Sequence, residues 1–150
     1  MKTEAEFRSA VAEEAITWID TPYHASGAVK GVGVNCAQFL YRVAKAAGAV
    51  PADAPAPRWF TAQLATHSKE ERIIQYIQSY GGVEISEDQV KTGDIVAYKS
   101  GQAHGHMALV LEYPEIIHVL PGQLRIPSLL RCRLGGLALQ LRECFRVCVR

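Results

Sequence analysis

The apolar pattern of this chain changes period once, and that change limits the fold more than any other feature. Up to about residue 80, apolar side chains recur at helical spacing; from about residue 94 they come as short β-branched runs. Residues 5 to 19 put Phe7, Ala10, Val11, Ala15, Trp18 and Ile19 on one helical stripe, which Pro22 in "DTPYH" cannot extend. A second helix is expected from about Cys36 to Ala47, with Phe39, Leu40, Val43, Ala44 and Ala47 on one side and Gly48 as its stop. Residues 59 to 80 are helical again, with a break near His67 and Ser68, and Gly81-Gly82 closes them. "GDIVAYK", "HMALVLEY", "EIIHVL" and "ECFRVCVR" then follow strand grammar. Helices first and strands afterwards describe an α+β domain, N-terminal helices packed on a C-terminal antiparallel β-sheet. Residues 1–150 suit a single domain of that kind.

A hydrophobic content of 49% and a charged content of 21% are those of an ordinary globular protein. The net charge of +1 gives no reason to expect nucleic acid or an anionic membrane as partner. No run approaches the roughly 18 to 20 apolar residues that cross a bilayer, so no membrane insertion is expected. "MKTEAEFRSAVAEEAITWID" is acidic throughout and lacks an apolar core, so it does not read as a signal peptide, and synthesis in the cytoplasm is the expectation.

Residues 24 to 35 and "PADAPAP" read as loops. The first leads to Cys36, the one cysteine before residue 132. Asn35 is a good N-cap, and Gln38 completes an N-x-x-Q capping-box pattern, so Cys36 is the first residue inside the helix. There the helix dipole and free N–H groups favour an anion, which lowers a thiol pKa and makes a nucleophile. The other reading is a small core side chain. Cys132, Cys144 and Cys148 show no C-x-x-C spacing and read as buried free thiols.

A thiolate nucleophile needs a base and a group to orient it. His67, in "THSKEER", reads as surface; His106 opens an apolar strand and His118 sits in the next. The hairpin register decides whether they meet. His106 and His118 share a face only if their connection near Glu112–Glu115 holds an odd number of residues or a bulge; a two-residue Tyr113-Pro114 turn would separate them. His104 completes an H-x-H pattern and reads as a partly exposed residue at the strand's start; a zinc site with Cys36 and His118 is weak, lacking paired spacing.

"TPYHASGAVKGVGVNCAQFL", "KTGDIVAYK" and "HGHMALVLEYPEIIHV" together resemble the NlpC (NlpC/p60) family of papain-like cysteine peptidases, from about Thr21 to His118. The resemblance implies that fold, no cofactor, and hydrolysis of peptidoglycan stem peptides at a D-glutamyl to diamino-acid bond. Cys36 would be the nucleophile, His106 the base and His118 the orienter, with Tyr23 near the thiol and oxyanion. The "KGVG" approach looks most like phage-tail cell-wall peptidases, which implies other phage tail proteins as partners and the cell wall as site of action. Asn35, Ala37 and Gln38 depart from the family's usual Asp before the cysteine and Ser-Gly-like pair after it. Lys30, Arg58 and Trp59 are candidates to line a substrate cleft, or else solvated charges and a core Trp. A thiol acyltransferase or esterase, and a catalytically silent binding component of a phage-tail-like assembly, are the alternative readings.

Overall fold

Four side chains decide how the first helix meets the rest. In the computed structural model, which describes residues 2–58, 64–99, 101–119, 130–133 and 141–147 (side chains of 64–65, 130–133 and 141–147 excepted), helix α1 spans Glu4–Ile16. Phe7, Val11 and Ala15 of α1, with Trp18 just beyond, turn inward, as their spacing requires. Ile19, placed on the same stripe by periodicity, is 38% exposed because the helix has ended and the stripe with it.

A two-stranded hairpin follows, β1 (Ala28–Val29) and β2 (Gly33–Val34), and then α2 (Cys36–Ala47). Gly48 ends α2 at φ 82°, a left-handed cap that glycine adopts without strain. Short α3 (Leu64–His67) and α4 (Arg72–Ser79) are separated at residues 68–71, where the sequence placed the break.

Six antiparallel strands form the sheet: β3 (Gly82–Ile85), β4 (Ile95–Lys99), β5 (His104–Val110), β6 (Glu115–His118), β7 (Leu130–Arg133) and β8 (Leu141–Val147). Their order is β3-β8-β4-β5-β6-β7, so the last strand inserts between β3 and β4. β3 and β7 escape sequence reading because each is only four residues long, too short for its alternation, "GVEI" or "LRCR", to stand out.

Every residue of β5 is buried, so both faces of this strand are covered. Met107 and Leu109 face the helices with Leu40, Val43 and Ile77; Ala108 and Val110 face the other way with Val96, Tyr98 and Ile116. At the start of β4, buried Asp94 accepts from Arg8 Nη1 at 3.0 Å and from the Lys91 N–H at 2.8 Å, which locks α1 to the sheet. The helices thus fix α2 end-on beside β5.

Candidate active site

The loop before Cys36 is built backbone against backbone. The Val34 N–H donates to Pro22 O at 2.9 Å and the His24 N–H donates to Val34 O at 3.1 Å, so Tyr23 lies alongside Val34. Gly27 and Gly33 make this closeness feasible: a Cβ on Gly27 would stand 2.5 Å from the Gly33 carbonyl, and one on Gly33 would stand 2.8 Å from His24 Cβ. Asn35 then acts twice. Its Oδ1 accepts the Gln38 N–H at 2.8 Å as a helix cap, and its Nδ2 donates to Ala25 O at 2.8 Å, tying the cap to the loop.

The second half of the expected capping box does not form. The Asn35 N–H already donates to Gly27 O at 3.3 Å, and the Gln38 side chain instead gives Nε2 to Pro57 O at 2.8 Å. Gln38 therefore joins α2 to the proline loop, a link the sequence pattern did not signal.

Leu109 pairs with Ile117 and Val110 with Ile116, and the Leu111 N–H donates to Glu115 O. Only Glu112, Tyr113 and Pro114 remain in the connection, an odd number, so His106 and His118 share a face. His106 Nε2 and His118 Nδ1 are 2.9 Å apart, and the His106 ring stacks on Tyr98 with centroids 5.7 Å apart. With His106 as the donor of that bond, its Nδ1 keeps a lone pair, the form a base requires.

Cys36, His106 and His118 are only 4%, 5% and 5% exposed, and burial dominates their electrostatics. It pushes the Cys36 thiol up to about 12, against the pull of the backbone N–H groups of Met107, Ala37 and Cys36 itself. The helix-terminus argument expected a lowered thiol pKa; desolvation outweighs the dipole here. Burial also pushes His106 down to about 3, with His118 adding to it, and His118 down to about 4. Near pH 7 the thiol and both imidazoles are therefore neutral. The Met107 amide is close enough to pull the thiol pKa down, which puts the sulfur near β5 at the residue after His106.

Tyr23 is half-buried, its hydroxyl raised by burial and then by the nearby Cys36. Lys30 is committed elsewhere: its Nζ lies 2.8 Å from Glu14 Oε1 and 2.6 Å from Thr17 Oγ1, over the Trp18 ring. Arg58 is exposed, and Trp59 lies outside the described residues. His67 is exposed as expected. His104, expected to be partly exposed, is buried, because Glu71 accepts from its backbone N–H at 3.1 Å and meets its Nδ1 at 2.8 Å. Among the described residues, no three His, Cys, Asp or Glu side chains converge as metal ligands. Cys132 and Cys144 fall on β7 and β8 with side chains outside the described set, and Cys148 lies outside it altogether.

No protein-family model and no curated protein matches the chain. Solved structures do. The NlpC/p60 domain of the peptidoglycan hydrolase SagA aligns over 89% of this chain and 95% of its own, at 22% identity and a TM-score of 0.60. A lipoprotein-like protein of the NLP/P60 family from Staphylococcus aureus aligns over 98% of this chain, at 21% identity and a TM-score of 0.65; the chain spans 43% of that protein's length. RipD from Mycobacterium tuberculosis, a non-catalytic NlpC/p60 domain protein described as adapted to peptidoglycan binding, aligns over 95% of this chain and 98% of its own, at 13% identity and a TM-score of 0.60. The chain has the α+β fold of NlpC/p60 domains.

Proposed function

We propose that this protein is a cysteine hydrolase of peptidoglycan stem peptides, cutting the D-glutamyl to diamino-acid bond through Cys36, His106 and His118. The observation that carries the proposal is the hydrogen-bonded pair of His106 on β5 and His118 on β6, at 2.9 Å, with the amide of Met107, the residue after His106, near enough to lower the Cys36 thiol pKa. In the proposed reaction, His106 Nδ1 takes the thiol proton as Sγ bonds to the substrate carbonyl carbon. The Cys36 N–H at the helix terminus receives the developing oxyanion. His106 returns the proton to the leaving amine, the C–N bond breaks, and water then releases the acyl group from sulfur. His118 holds the base in its Nε2–H form.

Tyr23 supports the reading through its closeness to the thiol. A phage-tail setting, with other tail proteins as partners, rests on "KGVG" alone, and none of the three structures above is described as a phage protein. A non-catalytic peptidoglycan-binding role is the second reading; the burial of the thiol and its raised pKa favour it. Incubation of wild type and Cys36→Ala with a γ-D-glutamyl-diaminopimelate peptide separates the two. Cleavage by wild type, lost by roughly 10⁴-fold in the variant, supports the hydrolase. Binding of peptidoglycan by both without cleavage supports the binder.

A further inference from the structure

Arg58, a cleft candidate by sequence, shares a cleft of about 340 Å³ with a second arginine, Arg72. The cleft follows one face of α4, where Arg72, Gln75, Tyr76 and Ser79 recur at helical spacing, and Glu70 completes its lining. Its charges are only partly spoken for. Arg72 donates Nε to Glu70 Oε2 at 3.0 Å, which leaves its two Nη groups and Glu70 Oε1 without a hydrogen bond among the described residues. The Arg58 guanidinium meets no acid among them, and all three side chains reach solvent.

Both sides of this cleft are tied to the candidate active site. Pro57, next to Arg58, accepts at 2.8 Å from Gln38 Nε2, two residues after Cys36. Glu71, next to Arg72, accepts at 3.1 Å from the N–H of His104, two residues before His106. The main chain at Arg58 is held as well: Tyr76 donates to Arg58 O, Tyr80 to Pro55 O at 2.5 Å and Tyr41 to Ala54 O at 2.6 Å. Charged groups on a frame this fixed can select a ligand by where its own charges lie.

Two guanidinium groups and one carboxylate complement a ligand group that carries a carboxylate and an ammonium together. We infer that this cleft is the subsite for the far end of the diamino acid in the leaving peptide: Arg58 and Arg72 take its free carboxylate, and Glu70 takes its ammonium. Diaminopimelate carries both charges at that end, whereas lysine in the same place offers the ammonium alone. The cleft thus selects diaminopimelyl over lysyl stem peptides. This inference rests on the hydrolase reading, which puts the diamino acid on the amine side of the scissile bond.

The test compares kcat/KM for three γ-D-glutamyl peptides: one of diaminopimelate, one of diaminopimelate amidated at its far carboxyl, and one of lysine. Wild type is expected to favour the first over the other two by about tenfold or more, because both lack the anion. Arg58→Met combined with Arg72→Met should erase that preference; the lysyl rate, which the arginines do not serve, reports that the fold is intact. Glu70→Gln should instead slow all three peptides, since all three carry the ammonium. Equal rates on wild type, or a preference that survives the double arginine variant, overturn the inference, while the hydrolase reading stands on the cleavage itself. If wild type cuts none of the three and the hydrolase reading fails, the uncut peptides are titrated in turn and the Arg72 Nε–H signal is followed by NMR. That signal should move with the diaminopimelyl peptide and not with the other two; a signal that moves alike with all three, or with none, overturns the inference.

Discussion

Two irregular segments flank α2, and they are held by opposite means. Residues 21–35 lead to Cys36 and are fastened main chain to main chain, with Gly27 and Gly33 in contact that leaves no room for a Cβ. Residues 51–58 follow α2 and are held by side chains, three tyrosine hydroxyls and the Gln38 amide reaching four carbonyls. Backbone contact demands particular residues at particular positions. Side-chain tethers can be removed singly while the segment keeps its course. The first segment therefore sets where the sulfur stands, and the second can vary in grip without moving it.

The largest expected effect breaks the first segment. Gly27→Ala puts a methyl 2.5 Å from the Gly33 carbonyl, so the backbone must part; a loss of about 3 kcal/mol in urea unfolding is expected, with loss of Cys36 reactivity. Acid comes next. His106 and His118, neutral in the fold and held down to about 3 and about 4, protonate far more readily in the unfolded chain. The unfolded state then binds more protons, so stability falls as pH drops from about 6.5 towards 4, by roughly 1 kcal/mol per pH unit for each histidine. Cys36, raised to about 12, acts in the opposite range: the unfolded chain releases its proton first, so stability falls as pH rises above about 8.5. Urea midpoints across pH 4 to 11 should trace a dome, and His118→Gln should flatten its acid side.

Smaller changes sharpen the contrast between the segments. Asn35→Ala removes both the cap and the tie to Ala25 and should cost about 1 to 2 kcal/mol, read as a drop in Tm. Tyr41→Phe should cost about 1 kcal/mol and speed amide exchange within residues 51–58 alone. Lys30→Ala loses a half-exposed pair with Glu14 and should shift stability by no more than about 0.5 kcal/mol. A Tyr41→Phe protein that lost Cys36 reactivity would refute the division of labour between the two segments.

Much of this arrangement was legible in the sequence, and the illegible part has a physical cause. α2, its Asn35 cap and its Gly48 stop follow from local chemistry, and the histidine pairing followed once register parity was considered. Local pattern could not reveal what sits in the interior. The thiol pKa depends on how much protein surrounds the sulfur, and no helix-terminus argument measures that. His104 reads from sequence as a strand-end polar residue because its partner Glu71 is 33 positions away. Local pattern pairs Gln38 with the nearest backbone N–H, whereas the fold offers it a carbonyl 19 residues on.

The three residues joining β5 to β6 carry a consequence for how this gene can change. Each residue gained or lost between Leu111 and Glu115 reverses the inside and outside of everything downstream on β6. A one-codon insertion there would send His118 to the opposite face together with Ile116, a double loss from a change that alters no existing side chain. A two-codon insertion would return both to their places. Length variation at this tip is therefore expected to come in pairs, a parity rule written into the reading frame by two imidazoles that must touch.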